Sequence, residues 1–333
     1  MVTANASALL LQHYVDNFRR LPWRAAPGEP APEPYRVWLS EIMLQQTTVA
    51  TVAPRFERFS ARWQTVEALA AASDEDILSE WAGLGYYARA RNLIACAREV
   101  AMRGAFPSSA VQLRDLPGIG DYTAAAIAAI AFGEDIAAVD TNVVRVIARL
   151  HGLRDASKGK IESLAQAMIP PGRAGDFAQA IMDLGATICR PKDPRCSECP
   201  LLGACAAFGS GNPESFPARK AQRERPHKFG VAFWIERDER VWLVRRRPSG
   251  LLGSMAALPG GDWTEAKQAV PSSLGTVRHV LTHFSLDLAI VRGSEPRGEG
   301  WWHPIDQLAD AGLPTLYRKA ADAVLAPEER VAA

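Results

Sequence analysis

The chain has 333 residues, with 38 Lys and Arg against 37 Asp and Glu for a formal charge of +1, and 48% hydrophobic residues. Its length suggests two domains with ample chain for a buried core, and its composition is that of an ordinary globular protein. The near-zero charge excludes a global basic field, so any contact with nucleic acid must come from local patches and backbone amides.

The opening stretch, MVTANASALLLQHYVDNFRR, has no basic segment ahead of its apolar residues and no small-residue cleavage site, and is not read as a signal peptide. The longest apolar run, TAAAIAAIAF, is about half the length of a membrane span. A cytosolic protein with reduced thiols is therefore expected. Helical periodicity rich in Ala and Leu dominates up to about Ala207. Within it, Glu41 falls in YRVWLSEIMLQQT. On a helix its neighbours three and four positions away are Val37, Trp38, Leu44 and Gln45, a mostly apolar face. A carboxyl desolvated there would hold its proton near neutral pH. Cys96, in ARNLIACAREV, reads as a buried helix residue.

Farther on, LPGIGDYTAAAIAAIAFG places Gly118 and Gly120 around a tight turn that opens a helix. Glycines let backbone amides converge, and a helix N-terminus adds partial positive charge, so a phosphate could sit there. A plain helix–turn–helix joint is the simpler reading of those residues alone, and Asp121 would serve the helix start. Asp140 precedes the apolar-periodic TNVVRVIARL and reads as an N-cap, a position that keeps a carboxylate ionised.

Four of the five cysteines, Cys189, Cys196, Cys199 and Cys205, crowd into CRPKDPRCSECPLLGAC. In a reducing compartment such a group binds metal rather than forming disulfides. Thiolates select zinc or an iron–sulfur cluster, and spacing alone leaves both open. Next, FGSGNPESFPARKAQRERPHK reads as a linker. Strand-like runs follow, FGVAFWIE, RVWLVRRR and RHVLTHFSLDLAIVRG, before LPTLYRKAADAVLA returns to helix. The expected architecture is an all-α domain over residues 1–212, a linker over 213–228 and a smaller α+β domain over 229–333, with no internal repeat.

The cysteine loop, with the helix FAQAIMDLGATIC before it, resembles that of the endonuclease III and MutY glycosylase family. The motifs PWR, SEIMLQQT, GLGYYARARNL, LPGIGDYTA and VDTNVVRVIARL appear in that family's order, and EIMLQQT and GLGYYARARN point to its MutY branch. The resemblance implies a helix-hairpin-helix glycosylase fold with one four-iron four-sulfur cluster on the four cysteines. Arg190, Lys192 and Arg195 would face DNA phosphates. The substrate implied is duplex DNA with adenine opposite 8-oxoguanine or guanine, bound by a monomer in the cytoplasm at the bacterial nucleoid.

In such proteins the residue matching Glu41 protonates adenine on its imidazole ring. The one matching Asp140 stabilises the sugar cation, and Asn142 matches a residue that positions the nucleophile. Breaking a glycosidic bond calls for two carboxylates in different environments. Thr141 stands where the family often has Gly. The lyase branch carries a Lys where this chain has Tyr122, so base removal without efficient strand cleavage is expected.

Arg19, Trp23, Arg24 and Asp183 match positions near the adenine pocket, with Asp183 where some members have Glu. Leu44, Gln45, Gln46 and Thr47 form the base-contacting stretch. By resemblance Gln46 and Tyr86 wedge beside the lesion; on its own residues Tyr86 reads as core packing. A glycosylase must extrude its base, which calls for such wedges. The C-terminal part resembles the Nudix-like domain of the same branch. It lacks the Glu-rich helix of Nudix hydrolases, and Leu281, Thr282 and His283 stand where the family has a Phe-Ser-His loop. Two other readings stay open, an endonuclease III-like glycosylase/lyase on damaged pyrimidines and a non-catalytic iron–sulfur DNA-binding protein.

Overall fold

A computed structural model describes residues 2–218, 225–247, 250–267, 269–270, 272–281 and 283–326. Thr282 lies outside the described residues. Backbone contacts divide the chain into two compact units, residues 1–77 with 91–221, and residues 78–90 with 222–333.

The helical part runs through α1 (Val2–Asp16), α2 (Pro34–Leu44), α3 (Val49–Arg62), α4 (Val66–Ala71), α5 (Asp74–Glu80), α6 (Tyr87–Arg103), α7 (Ala110–Leu113), α8 (Asp121–Phe132), α9 (Thr141–Leu150), α10 (Lys158–Gln166), α11 (Ala174–Thr187) and α12 (Ala206–Gly209). Its centre is α8, whose sequence DYTAAAIAAIAF is half Ala and buries residues 123–130. Small side chains let neighbouring backbones approach closely. Where α11 crosses α8, a Cβ on Gly175 would sit 2.8 Å from the Ala129 carbonyl oxygen. The helix stops at Gly133, which takes φ 71° while the Glu134 N–H donates back to the Ala128 oxygen. A second apolar cluster joins α1, α9, α10 and α11 through Leu10, Ile147, Ile161, Phe177 and Ile181.

The chain expected to be linker starts later than the composition suggests. Arg149 Nε donates to the Phe216 oxygen at 3.1 Å, the Ala218 N–H to the Arg154 oxygen at 2.8 Å, and the Asp193 N–H to Glu214 Oε1 at 3.0 Å. Residues 213–218 are thus bound to the helical unit, and the first strand already begins at His227.

That strand is β1 (His227–Trp234). It is followed by β2 (Glu236–Arg237), β3 (Arg240–Arg245), β4 (Ala256–Ala257), β5 (Gly275–Val280), β6 (Ser285–Arg292), β7 (Gly300–Pro304) and α13 (Thr315–Leu325). One sheet has the order β1-β6-β5, with β1 parallel and β5 antiparallel to β6. In the other, β3 pairs with β2, β4 and β7. Along β6 the buried positions alternate, Leu286, Leu288 and Ile290, as the two-residue strand period requires. These residues form a core with Trp234, Leu243, Leu316 and Tyr317. The strand-like run RHVLTHFSLDLAIVRG resolves into the end of β5 and the whole of β6, and β2, β4 and β7 were not anticipated. An all-α domain with a smaller α+β domain is the fold class of the chain.

Candidate active site

A cavity of about 940 Å³ opens among α2, α8, α9 and α11 and the chain before α2. It brings together Arg19, Trp23, Arg24, Glu41, Leu44, Gln45, Gln46, Thr47, Tyr122, Asp140, Asn142 and Asp183.

Glu41 is on the inner face of α2, 7% exposed. Burial in this apolar setting pushes its carboxyl up to about 7, with the Asp140 charge adding to the rise; a hydrogen bond from Tyr122 and the Arg24 guanidinium pull the other way. Tyr122 enters from the first turn of α8. Its hydroxyl lies 3.0 Å from Met182 Sδ and hydrogen-bonds Glu41, and burial raises its own titration well above the usual phenol range.

Asp140 caps α9. Its Oδ1 accepts the Val143 N–H at 2.7 Å and its Oδ2 accepts Asn142 Nδ2 at 2.8 Å. Charge on such a carboxylate is held by amides and by the helix dipole. Asn142 is itself held, since its Oδ1 accepts from Arg145 at 2.7 Å. The same guanidinium donates to the backbone oxygens of Gly185 and Cys189, both at 2.7 Å. Gly185 must be glycine for α11 to pack here, because a Cβ would come 2.6 Å from Asn142 Cβ. The cavity therefore holds two carboxyl groups in different settings, Glu41 desolvated and Asp140 hydrogen-bonded by protein donors.

Asp183 does not present a free carboxylate. Its Oδ1 accepts from Arg19 at 2.8 Å and from Arg24 at 3.0 Å, and its Oδ2 from Arg24 at 2.6 Å. Trp23 is buried and meets the Phe56 ring edge-on at 5.3 Å. Gln45 Nε2 donates to Thr123 Oγ1 at 3.3 Å, and Thr47 Oγ1 to the Gln45 oxygen at 3.2 Å. Gln46 takes φ 56°, in the left-handed region that ordinary side chains avoid. Tyr86 does the same at φ 47° and is 50% exposed, so core packing does not explain it. Strain of that kind concentrates at functional sites.

Gly118 and Gly120 lie outside the cavity. Gly118 needs its φ of 76°, and a Cβ there would meet Asn92 Cβ at 2.6 Å; Gly120 is the N-cap of α8. Asp121 is exposed and paired with Lys158 and Arg114. In the second unit His283 is exposed, and Leu281 packs partly into the apolar core.

Sequence reasoning passed over Gln179, Met182 and Ala186, which line the cavity from α11 beside Asp183. The available signal was helical spacing: Gln179 lies four residues before Asp183 and three before Met182, and Ala186 three after Asp183. Arg145 and Arg149 were also missed, because a basic residue in an apolar helix gives no hint of what it will meet.

The four cysteines line one small pocket of about 20 Å³ with Arg149, Ile188, Leu202 and Phe208. Arg149 Nη1 is 3.4 Å from Cys189 Sγ, and Cys205 Sγ is 3.5 Å from the Arg149 oxygen. Among the described residues no group of three or more His, Cys, Asp or Glu converges on a point as for a single ion. Four thiols lining one pocket are a donor set that suits a thiolate-bound metal centre.

Residues 39–171 match the HhH-GPD superfamily of base excision DNA repair proteins, and residues 230–323 match the Nudix domain. The adenine DNA glycosylase of Mus musculus is 44% identical over 93% of this chain and 76% of its own length. The chain belongs to the adenine DNA glycosylase family. The human member is 36% identical over 83% of this chain. This chain spans 64% of the length of that relative and 46% of the Arabidopsis thaliana one. Among solved structures, a thermostable thymine-DNA glycosylase superposes with a TM-score of 0.58 at 29% identity, over 63% of this chain and 97% of its own.

Raised proton affinity in Glu41 has a consequence for stability. The folded state binds this proton near 7, whereas an ordinary glutamate releases it at 4.5. Stability drawn from that proton is full below 4.5, declines through the window and is gone above about 7, a swing on the order of 3 kcal/mol. Glu41→Gln, which stays neutral, should therefore gain on the wild type as pH rises from 4.5 to 7 and hold the gain at pH 8. Urea unfolding at pH 4.5, 6 and 8 measures this. A difference that does not change with pH would show that the carboxyl is not desolvated.

Proposed function

We propose that this protein is a monofunctional DNA glycosylase that hydrolyses the bond between adenine and deoxyribose in duplex DNA, where the adenine faces 8-oxoguanine or guanine. One observation carries the reading: a desolvated Glu41 and a helix-capping Asp140 in a single cavity. Family membership supports it.

Adenine leaves poorly as an anion. An acid still protonated near neutrality can deliver a proton to its imidazole ring as the bond stretches, and Glu41 has that property. When Glu41 holds its proton it can also donate to the Tyr122 oxygen, leaving the phenol proton directed at Met182. The sugar becomes cationic as the base departs. Asp140, held by Val143 N–H and Asn142, would offset that charge from a fixed position. Asn142 is held by Arg145, so the pair acts as a preset unit. Tyr122 supplies no amine, so no Schiff base forms at this position. Gln46 and Tyr86 would fill the space left by the extruded base. The second unit, through the hairpin that bears His283, would read the opposite base, and the protein would act as a monomer.

Cys189, Cys196, Cys199 and Cys205 would hold a four-iron four-sulfur cluster. With the cluster bound, the loop would be cross-linked through these thiolates, and Arg190, Lys192 and Arg195 would be held in place for DNA phosphates.

Single-turnover assays on duplexes with adenine opposite 8-oxoguanine, guanine or thymine test the chemistry. Wild type should release adenine opposite the first two, leaving sites that break only with alkali, and its rate should fall as pH rises through about 7. Glu41→Gln and Asp140→Asn should each lose about two to four orders of magnitude. Near wild-type rates in either folded variant would remove the assigned role, and strong nicking without alkali would favour the lyase reading.

For the metal, protein purified without oxygen should be brown and carry about four iron atoms per chain. A colourless preparation with stoichiometric zinc would replace the cluster by a single ion.

A further inference from the structure

At the start of β1, outside the cavity, one imidazole joins two polar groups of the neighbouring strand. His227 Nδ1 lies 2.7 Å from Ser285 Oγ and its Nε2 lies 3.0 Å from Asp287 Oδ2. The parallel register pairs His227 with Ser285 and Phe229 with Asp287, so the ring lies along β6 and touches two successive residues of one face. The backbone repeats the contact, with the Ser285 N–H donating to the Pro226 oxygen at 3.0 Å. His227 also meets the Phe229 ring edge-on at 4.7 Å. Arg278 Nε stands 3.7 Å from Asp287 Oδ1, so the carboxylate is shared between imidazole and guanidinium.

These contacts fall at the foot of the β5–β6 hairpin. Ser285 is the first residue of β6, and one step before it the hairpin closes with the Leu281 N–H donating to the Phe284 oxygen at 2.9 Å. His283 is exposed just beyond that closure. An isolated hairpin is marginal in water. Its direction is set by what holds the strand ends. On the other flank, Phe284 meets the Trp263 ring edge-on at 5.9 Å and lies under the Lys228 ammonium at 4.9 Å. Leu281 is held by the core. His227 thus supplies the polar half of the bracket around His283, and Lys228, its neighbour in sequence, shares in the apolar half.

We infer that His227 is a positioning residue for recognition of the base opposite the target: by tying Ser285 and Asp287 to β1 it fixes where the hairpin presents His283. This rests on the reading above in which that hairpin contacts the opposite base.

The intact, metal-loaded protein is the test object. Binding would be measured on duplexes carrying 2′-fluoro-2′-deoxyadenosine, which resists cleavage, opposite either 8-oxoguanine or guanine. The ratio of the two dissociation constants is the readout. His227→Ala and His227→Phe should each lower the ratio about five- to tenfold, the loss expected for one or two hydrogen bonds. His227→Gln, which retains a donor and an acceptor, should restore part of it. Phe fills the ring volume, so its failure to rescue separates hydrogen bonding from packing, and thermal melts confirm that it folds if Ala does not. Excision rates opposite guanine should stay at the wild-type value. His283→Ala serves as the reference. If it leaves the ratio unchanged, the hairpin is not the reader and the underlying assignment fails. If it lowers the ratio while the folded His227 variants do not, the positioning role is wrong. An equal loss of guanine-paired excision, or full function in His227→Phe, also overturns it.

Discussion

Two carboxyl groups share one cavity, and the cavity can keep them different only if water is excluded from one and replaced by fixed donors at the other. Glu41 is desolvated by the packing of α2 against its neighbours. Asp140 is held by a backbone amide and by Asn142 at the start of α9. Neither condition is local. The first depends on α8 being narrow enough for α2 and α11 to close over it, which its alanines and Gly175 allow. The second depends on α9 lying against α11, which Gly185 allows by leaving room for Asn142. Small residues at helix crossings are thus as much a part of this site as the ionisable ones.

The cysteine loop is tied to the same framework. Arg149, buried in α9, donates to the backbone oxygens of Arg190 and Pro191 and lies beside Cys189. It also donates to the Phe216 oxygen. One guanidinium therefore gathers the cysteine loop and the segment that leaves the helical unit. An arginine suits that task, because its planar fork satisfies several carbonyl acceptors at once and does not lose its charge.

Much of this was legible from the chain, for physical reasons that differ from place to place. Glu41 was readable because a charged residue on an apolar helix face is rare without purpose. Asp140 was readable because an N-cap has a residue signature. The cysteines were readable because clustering of a scarce residue has few explanations. The contacts of Asp183 were not, since its partners Arg19 and Arg24 are some 160 positions away and a salt bridge leaves no periodic trace. The exposure and left-handed backbone of Tyr86 escaped for a similar reason: an aromatic between glycine and helix looks the same whether it faces in or out. In the second unit the bounds of β5 and β6 were not legible, because the residues between them include none of the Gly, Asn or Asp that usually mark hairpin turns. β7 was hidden by its shortness and its terminal Pro, and β4 consists of two alanines, which carry little strand preference.

A Glu41 that keeps its proton near neutral pH is the claim on which the proposed chemistry stands, and it can be observed without turnover. Infrared difference spectra, recorded across pH for wild type and for Glu41→Gln, isolate the carbonyl stretch of that one carboxyl group. The band of the protonated acid should persist through pH 6, halve near 7 and be missing from the variant. A Glu41 band already lost by pH 5 would contradict the account, because the group would then be an ordinary carboxylate with no proton to give at neutral pH.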